Sequence, residues 1–295
     1  MLESHGRYRY SPITARTPYD WPGGTRLAMY FAINVEQFPF GTGMGVDLAP
    51  RQPEPDVVNF SWRDWGNRVG VWRLIEAFDA LALPATVLIN TAVYEHCPEV
   101  ATAFRARGDE FVGHGRTNAE RQGEMTEADE RALIAASTEG IARHEGAPPL
   151  GWMGPWVSES RVTPDLLEEA GYRYVMDWMA DDQPIWLATR SGGRILALPY
   201  ARPTNDLPML HGAKLTPAEW ADVIVDQFDE MLEQSERQPL VFNLSLHPFL
   251  VGHAFRLRHL RRALAHIVAH RDRVWLTRAG DIARHAASLP GGLVP

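Results

Sequence analysis

Two titratable residues close apolar runs near opposite ends of the chain. Glu36 ends "RLAMYFAINVEQF" and His247 ends "PLVFNLSLHP". Runs this apolar and this short read as buried strands. A carboxylate and an imidazole at two strand ends can divide the work of a hydrolysis. The carboxylate takes a proton from an attacking water, and the imidazolium gives one to the departing nitrogen or oxygen. The bland alternatives are a turn acid for Glu36 and a satisfied core histidine for His247.

A second stretch, "EFVGHGRTNAERQGEM", sets His114 between Gly113 and Gly115, with Arg116 and Asn118 following. Flanking glycines let backbone approach closely, which suits a tight site and equally an ordinary turn. Arg116 and Asn118 are candidates for binding an oxyanion or a substrate amide; the alternative is a solvated loop. "DWMADDQPIW" carries Asp177, Asp181 and Asp182. One of these acids is expected to orient His247, as a second carboxylate orients a catalytic imidazole elsewhere. Asp177 is the best placed, because it falls at a strand end. Trp156, after the run "LGWMGPW", either walls the mouth and stacks on a planar amide or fills the core.

These residues need a scaffold that gathers strand ends. Short apolar runs alternate with helical patterns about seven times, which predicts a parallel sheet with helices between its strands. Polar residues fall just after each run: Glu36, His114, Trp156, Asp177, Asn205 with Asp206, and His247. Ligands bind at the carboxyl ends of strands in such folds. The expectation is one closed or nearly closed β/α barrel over residues 26–290, with residues 1–25 as an N-terminal extension packed on it. No composition break divides the 295 residues further.

Bulk properties narrow the function. The 29 basic residues are outnumbered by 37 acidic ones, net −8, which disfavours a nucleic-acid surface. The one dense basic run, Phe255–Arg273, has leucines at helical spacing and reads as an amphipathic helix with a solvated face. Cys97 is the single cysteine, so neither a disulfide framework nor a cysteine zinc site is expected. No segment nears the ~20 apolar residues of a membrane span, and no leader is evident. A cytoplasmic protein with no membrane or nucleic-acid partner is expected.

The order of these motifs resembles the polysaccharide deacetylase (NodB-homology) superfamily over roughly residues 26–284. The matching stretches are "INVEQF", "HGRTN", "GWMGPW", "DWMADDQPIW" and "LSLHP". "HG", the "ADD-P-W" cluster and His247 to Gly252 look like the allantoinase-type branch, which acts on small cyclic ureides and imides. The resemblance implies a distorted (β/α)7-type barrel as a single domain. It places a general base at Glu36 and a general acid at His247, with His114 also catalytic. The family's three metal-ligand positions fall on Gln37, His114 and Asn118. Two are neutral amides, which bind divalent zinc poorly, and the motif-three arginine is replaced by "GPW". No cofactor is therefore expected. If zinc or another divalent metal were bound, His114, Glu36 and Asn118 would hold it. Asn118, Arg116, Trp156, Gln37, Asp177 and Asp182 are the expected substrate-binding residues. Assembly as a homo-oligomer, a tetramer in that branch, is also implied.

The favoured expectation is a hydrolase of the C–N bond of a small amide, ureide or cyclic imide, acting without metal. His114, Asn118 and Arg116 would donate to the developing oxyanion. The alternatives are a metal-dependent N-deacetylase of an N-acetyl sugar or polysaccharide, and a non-catalytic small-ligand-binding protein on a degenerate scaffold.

Overall fold

Every residue of Leu27–Val35 is buried, and this run forms strand β1. A strand covered on both faces belongs inside a parallel sheet. In this computed structural model, which describes residues 4–41 and 45–295, eight further strands join it. They are β2 (Thr86–Ile89), β3 (Glu110–Gly113), β4 (Gly151–Trp152), β5 (Tyr174–Val175), β6 (Ile185–Ala188), β7 (Arg194–Ala197), β8 (Leu240–Leu246) and β9 (Val274–Thr277). The order is β6-β7-β5-β4-β3-β2-β1-β8, with β9 also against β1. The sheet curls, so that the chain beyond β7 meets β8 through the bridge Asn205↔Ser245. Ser245 N–H donates to Thr204 O at 3.2 Å, and Thr204 Oγ1 donates to Asn243 O at 2.6 Å. The architecture is a single α/β domain whose curled sheet forms a distorted barrel.

Three features depart from the simple alternation read in the sequence. β6 and β7 form an antiparallel hairpin, so the sheet is not wholly parallel. β9 pairs Leu27–Tyr30 of β1, while β2 pairs Ala32–Val35. Two short strands thus share one edge of the long strand, and its backbone groups stay paired along their length. The helical segment ahead of β2 begins earlier than its apolar spacing suggests. Val57–Trp65 is a helix capped by Asp56, and a π-turn, Gly66–Gly70, leads into Val71–Leu81. No helix among the described residues is long and apolar enough to cross a membrane.

Side-chain alternation sorts β1 into two layers. Leu27, Met29, Phe31, Ile33 and Val35 pack outward under the helices. Ala28, Tyr30 and Ala32 point into the barrel. β8 alternates likewise: Leu240, Phe242, Leu244 and Leu246 face outward and Val241 inward. Glu36 and His247 continue the inward rows just past the two strand ends.

Within the stretch expected as an N-terminal extension, residues 1–3 lie outside the described residues. Trp21 is buried in the inner cluster with Val294, and its Nε1 donates to Leu240 O at 3.1 Å. Arg7 pairs with Asp165 at 2.5 Å.

Candidate active site

Neighbouring strands deliver the two inward rows to one place. β1 and β8 run parallel with Ile33 opposite Leu246, so Glu36 and His247 emerge side by side. Glu36 Oε1 lies 3.7 Å from His247 Nε2 and 3.5 Å from His114 Nε2. All three side chains are buried and line one cavity of about 340 Å³. Phe38, Met153, Trp156, Val157 and Phe249 supply apolar wall; Asn34, Arg63, Asn118, Tyr200 and Asn205 supply polar wall.

Backbone clamps set the strand ends. Asn90, just after β2, accepts Gln37 N–H on Oδ1 at 2.9 Å and donates from Nδ2 to His114 O. Asn67 Nδ2 donates to Glu36 O at 2.8 Å. The glycines around His114 have separate reasons. A Cβ on Gly113 would sit 2.6 Å from the Trp152 ring, and Gly115 has φ +68°, a conformation that favours glycine.

The two imidazoles differ in what stands behind them. His247 Nδ1 donates to Asp206 Oδ1 at 2.6 Å, and its backbone N–H donates to Asp206 Oδ2 at 2.7 Å. Burial alone would lower the His247 pKa. The Asp206 charge and hydrogen bond, with Glu36 adding to them, outweigh burial and raise it above 6.5. When the ring is protonated, its Nε2 points an N–H toward Glu36. His114 Nδ1 instead meets the neutral carbonyl of Met153 at 2.6 Å. A carbonyl only accepts, so Nδ1 holds a proton, and in the tautomer this selects Nε2 is the acceptor. That Nε2 is buried without a hydrogen-bond partner.

Several expected residues stand elsewhere. Asp177 does not orient His247; it accepts Gly154 N–H on both carboxylate oxygens, at 2.9 and 3.0 Å. It thereby holds the loop in which Trp156 and Val157 take φ of 69° and 56°. The orienting acid is Asp206, because the chain past β7 closes on β8 and brings it under the ring. Arg116 is not an oxyanion donor; its side chain is 65% exposed and pairs with Glu120. Gln37 contributes backbone only, accepting Asn118 N–H at 2.9 Å, and its side chain is not in the cavity wall. Asp182 lies on another face, lining a recess with Tyr10 and Arg16. His114 lines the cavity with its Nε2 beside Glu36. Asn118 and Trp156 do line the cavity. The sequence reading gave no role to Asn90, Arg63 or Tyr200; each is polar residue within or beside an apolar run, a weak signal at best.

The metal positions of the resembled family can be tested on this donor set. His114 is the one strong ligand among them, Asn118 offers a neutral amide, and Gln37 faces away. Among the described residues, no three His, Cys, Asp or Glu side chains group as metal ligands. These residues do not fit a divalent cation, which wants at least three imidazole, thiolate or carboxylate donors.

No family model matches the chain. The PuuE allantoinase structure superimposes with a TM-score of 0.81 at 27% identity, covering 96% of this chain and 99% of that one. A structure from Pseudomonas aeruginosa PAO1, described as a "probable Polysaccharide deacetylase", gives 0.80 at 28%, covering 90% and 92%. The peptidoglycan deacetylase of Helicobacter pylori is 24% identical over 246 residues, 72% of this chain and 82% of its own. Over most of its length the chain is thus similar to proteins described as polysaccharide or peptidoglycan deacetylases and to an allantoinase.

Proposed function

We propose that this protein hydrolyses the C–N bond of a small polar amide, ureide or cyclic imide, with Glu36 as base and His247 as acid and without a metal. The coarser class is plain: a deacetylase-like hydrolase acting on carbon–nitrogen bonds other than peptide bonds. One observation carries the finer reading. Glu36 Oε1 stands between His247 Nε2, whose ring is backed by the Asp206 carboxylate, and His114 Nε2, whose ring is backed by the Met153 carbonyl.

Glu36 Oε1 and His114 Nε2 are both acceptors, 3.5 Å apart, a separation that a shared water suits. A water giving one hydrogen to each has its oxygen lone pairs turned toward the cavity. Glu36 takes the water's proton as the oxygen bonds to the carbonyl carbon. The carbonyl electron pair moves to oxygen, then returns as the C–N bond breaks. His247 Nε2–H protonates the departing nitrogen, leaving a carboxyl product and an amine, or an opened ring bearing both. The proton on Glu36 passes across to the neutral His247 and resets the pair. Strained or activated carbonyls suit such a site, because no metal polarises them.

The name of the Helicobacter pylori relative favours one second reading, removal of an acetyl group from an acetamido sugar. The same base and acid would serve it. A screen of cyclic imides, ureides and N-acetyl sugars separates the two. In either case Glu36→Gln should lower kcat by about 10²–10⁴-fold, the usual worth of a positioned base. Wild-type rates in that variant would end the mechanism.

A further inference from the structure

Asn118 has an unusual set of bonds. Its N–H donates to Gln37 O at 2.9 Å, and its carbonyl accepts Trp156 Nε1 at 2.8 Å. The backbone is thus held from two sides. The side chain has no hydrogen bond among the described residues: Oδ1 is buried without a partner, and Nδ2 donates to no group. Yet Asn118 is only 7% exposed and lines the cavity. A buried polar group without a partner costs stability, and this one belongs to a residue of the cavity wall. The other unpartnered acceptor there, His114 Nε2, is accounted for by the attacking water.

A carboxamide presents one acceptor and one donor side by side in a plane. Its complement is an N–H beside a C=O on a single edge. A ring holds its amide cis and so presents that edge. An acyclic secondary amide prefers trans, which turns its N–H and C=O to opposite sides. The complement holds whichever way the carboxamide is turned, since the edge can be read from either end. Around it the wall offers Phe38, Met153, Trp156, Val157 and Phe249, flat or soft apolar surface suited to a small planar ring.

We propose that Asn118 is the specificity-determining residue of this site. Its carboxamide pairs edge-on with the N–H and C=O of a cyclic amide, imide or ureide, and so selects rings with a free N–H over N-substituted rings and acyclic acetamides. The proposal rests on the hydrolase reading above.

The test compares succinimide with N-methylsuccinimide, and hydantoin with N-acetylglucosamine, each rate normalised to hydroxide-catalysed hydrolysis. Wild-type kcat/KM should favour succinimide over its N-methyl analogue by about 10²-fold or more, because the analogue leaves buried polar atoms unpaired. In Asn118→Leu the two imides should fall within about threefold of each other, an effective loss of the same discrimination. Asn118→Ala, which leaves both backbone bonds in place, should do the same. The melting temperature of Asn118→Leu should hold or rise, since no protein hydrogen bond of the side chain is lost and its unpaired buried oxygen is removed. Equal use of the two imides by the wild type, or a ratio that survives both substitutions, overturns the assignment of Asn118 and leaves the hydrolase reading standing. Turnover of N-acetylglucosamine but of no ring also overturns the assignment of Asn118, whereas turnover of no compound in the panel by the wild type, or turnover that persists in Glu36→Gln, overturns the hydrolase reading itself.

Discussion

Asp206 grips His247 twice, accepting the ring Nδ1–H at 2.6 Å and the backbone N–H at 2.7 Å. The second bond fixes the residue and the first fixes the ring, so Nε2 has one direction to point. That direction is Glu36, 3.7 Å away. The same carboxylate raises the pKa of the buried ring against the pull of desolvation. Position and protonation of the proposed acid thus have one cause.

Asp206→Asn should therefore change the pH profile as well as the rate. His247 must be protonated to act, and its pKa is raised in the fold, so activity falls as pH rises through that raised value. Removing the Asp206 charge leaves desolvation, which lowers the pKa. The alkaline limb of kcat should move to lower pH by about one unit or more. A rate loss with an unmoved limb would show that Asp206 only shapes the backbone.

Metal removal is a separate matter. Extended treatment with a strong chelator should leave turnover within about twofold of the untreated protein, because His114 is the one strong ligand at the family's metal positions. Loss of activity on chelation, restored by zinc or another divalent ion, would mean that the donor set completes itself with groups not counted here.

A second buried acid pair lies away from the reacting groups. Glu159 and Asp177 face each other beneath the Gly154–Val157 loop. Burial, opposed in part by the Trp178 N–H, pushes the Glu159 carboxyl up to about 7. Burial and the neighbouring Glu159 likewise raise Asp177. Raised carboxyl pKa values mean that the folded state binds more protons than the unfolded chain, so stability falls as pH rises from about 4.5 toward 7. The size should be on the order of 1–3 kcal/mol. Glu159→Gln keeps the hydrogen-bonding shape without the charge, so its melting temperature should gain on the wild type steadily between pH 5 and 8. A constant difference across that range would refute a proton shared by this pair.

Much of the site was legible because β-strands alternate. Glu36 lies an even number of residues beyond Ala28 and Ala32, and His247 beyond Val241. Both had to face inward if these runs were strands of a barrel. His114 could be placed from its glycines and the strand before it. The acid behind His247 could not be chosen this way. Asp177 and Asp206 both follow strands, and local pattern treats them alike. Gly154 claims the first through its backbone N–H, and His247 claims the second.

The hydrogen-bond roles were further still from the sequence. Types and spacing suggested His114 and Asn118 as oxyanion donors, and Arg116 with them. Arg116 went to a surface acid, and a carbonyl on β4's far end backs the His114 ring. What the sequence by itself determined was the barrel, its mouth and the inward row that carries a base and an acid. Periodicity is a local property of the chain, and those features follow from it. Tertiary structure alone decided which groups stand behind them: Asp206 under one imidazole, Met153 O under the other, and nothing against the Asn118 carboxamide. A proton's location depends on its partner, and these partners come from strands dozens of residues apart.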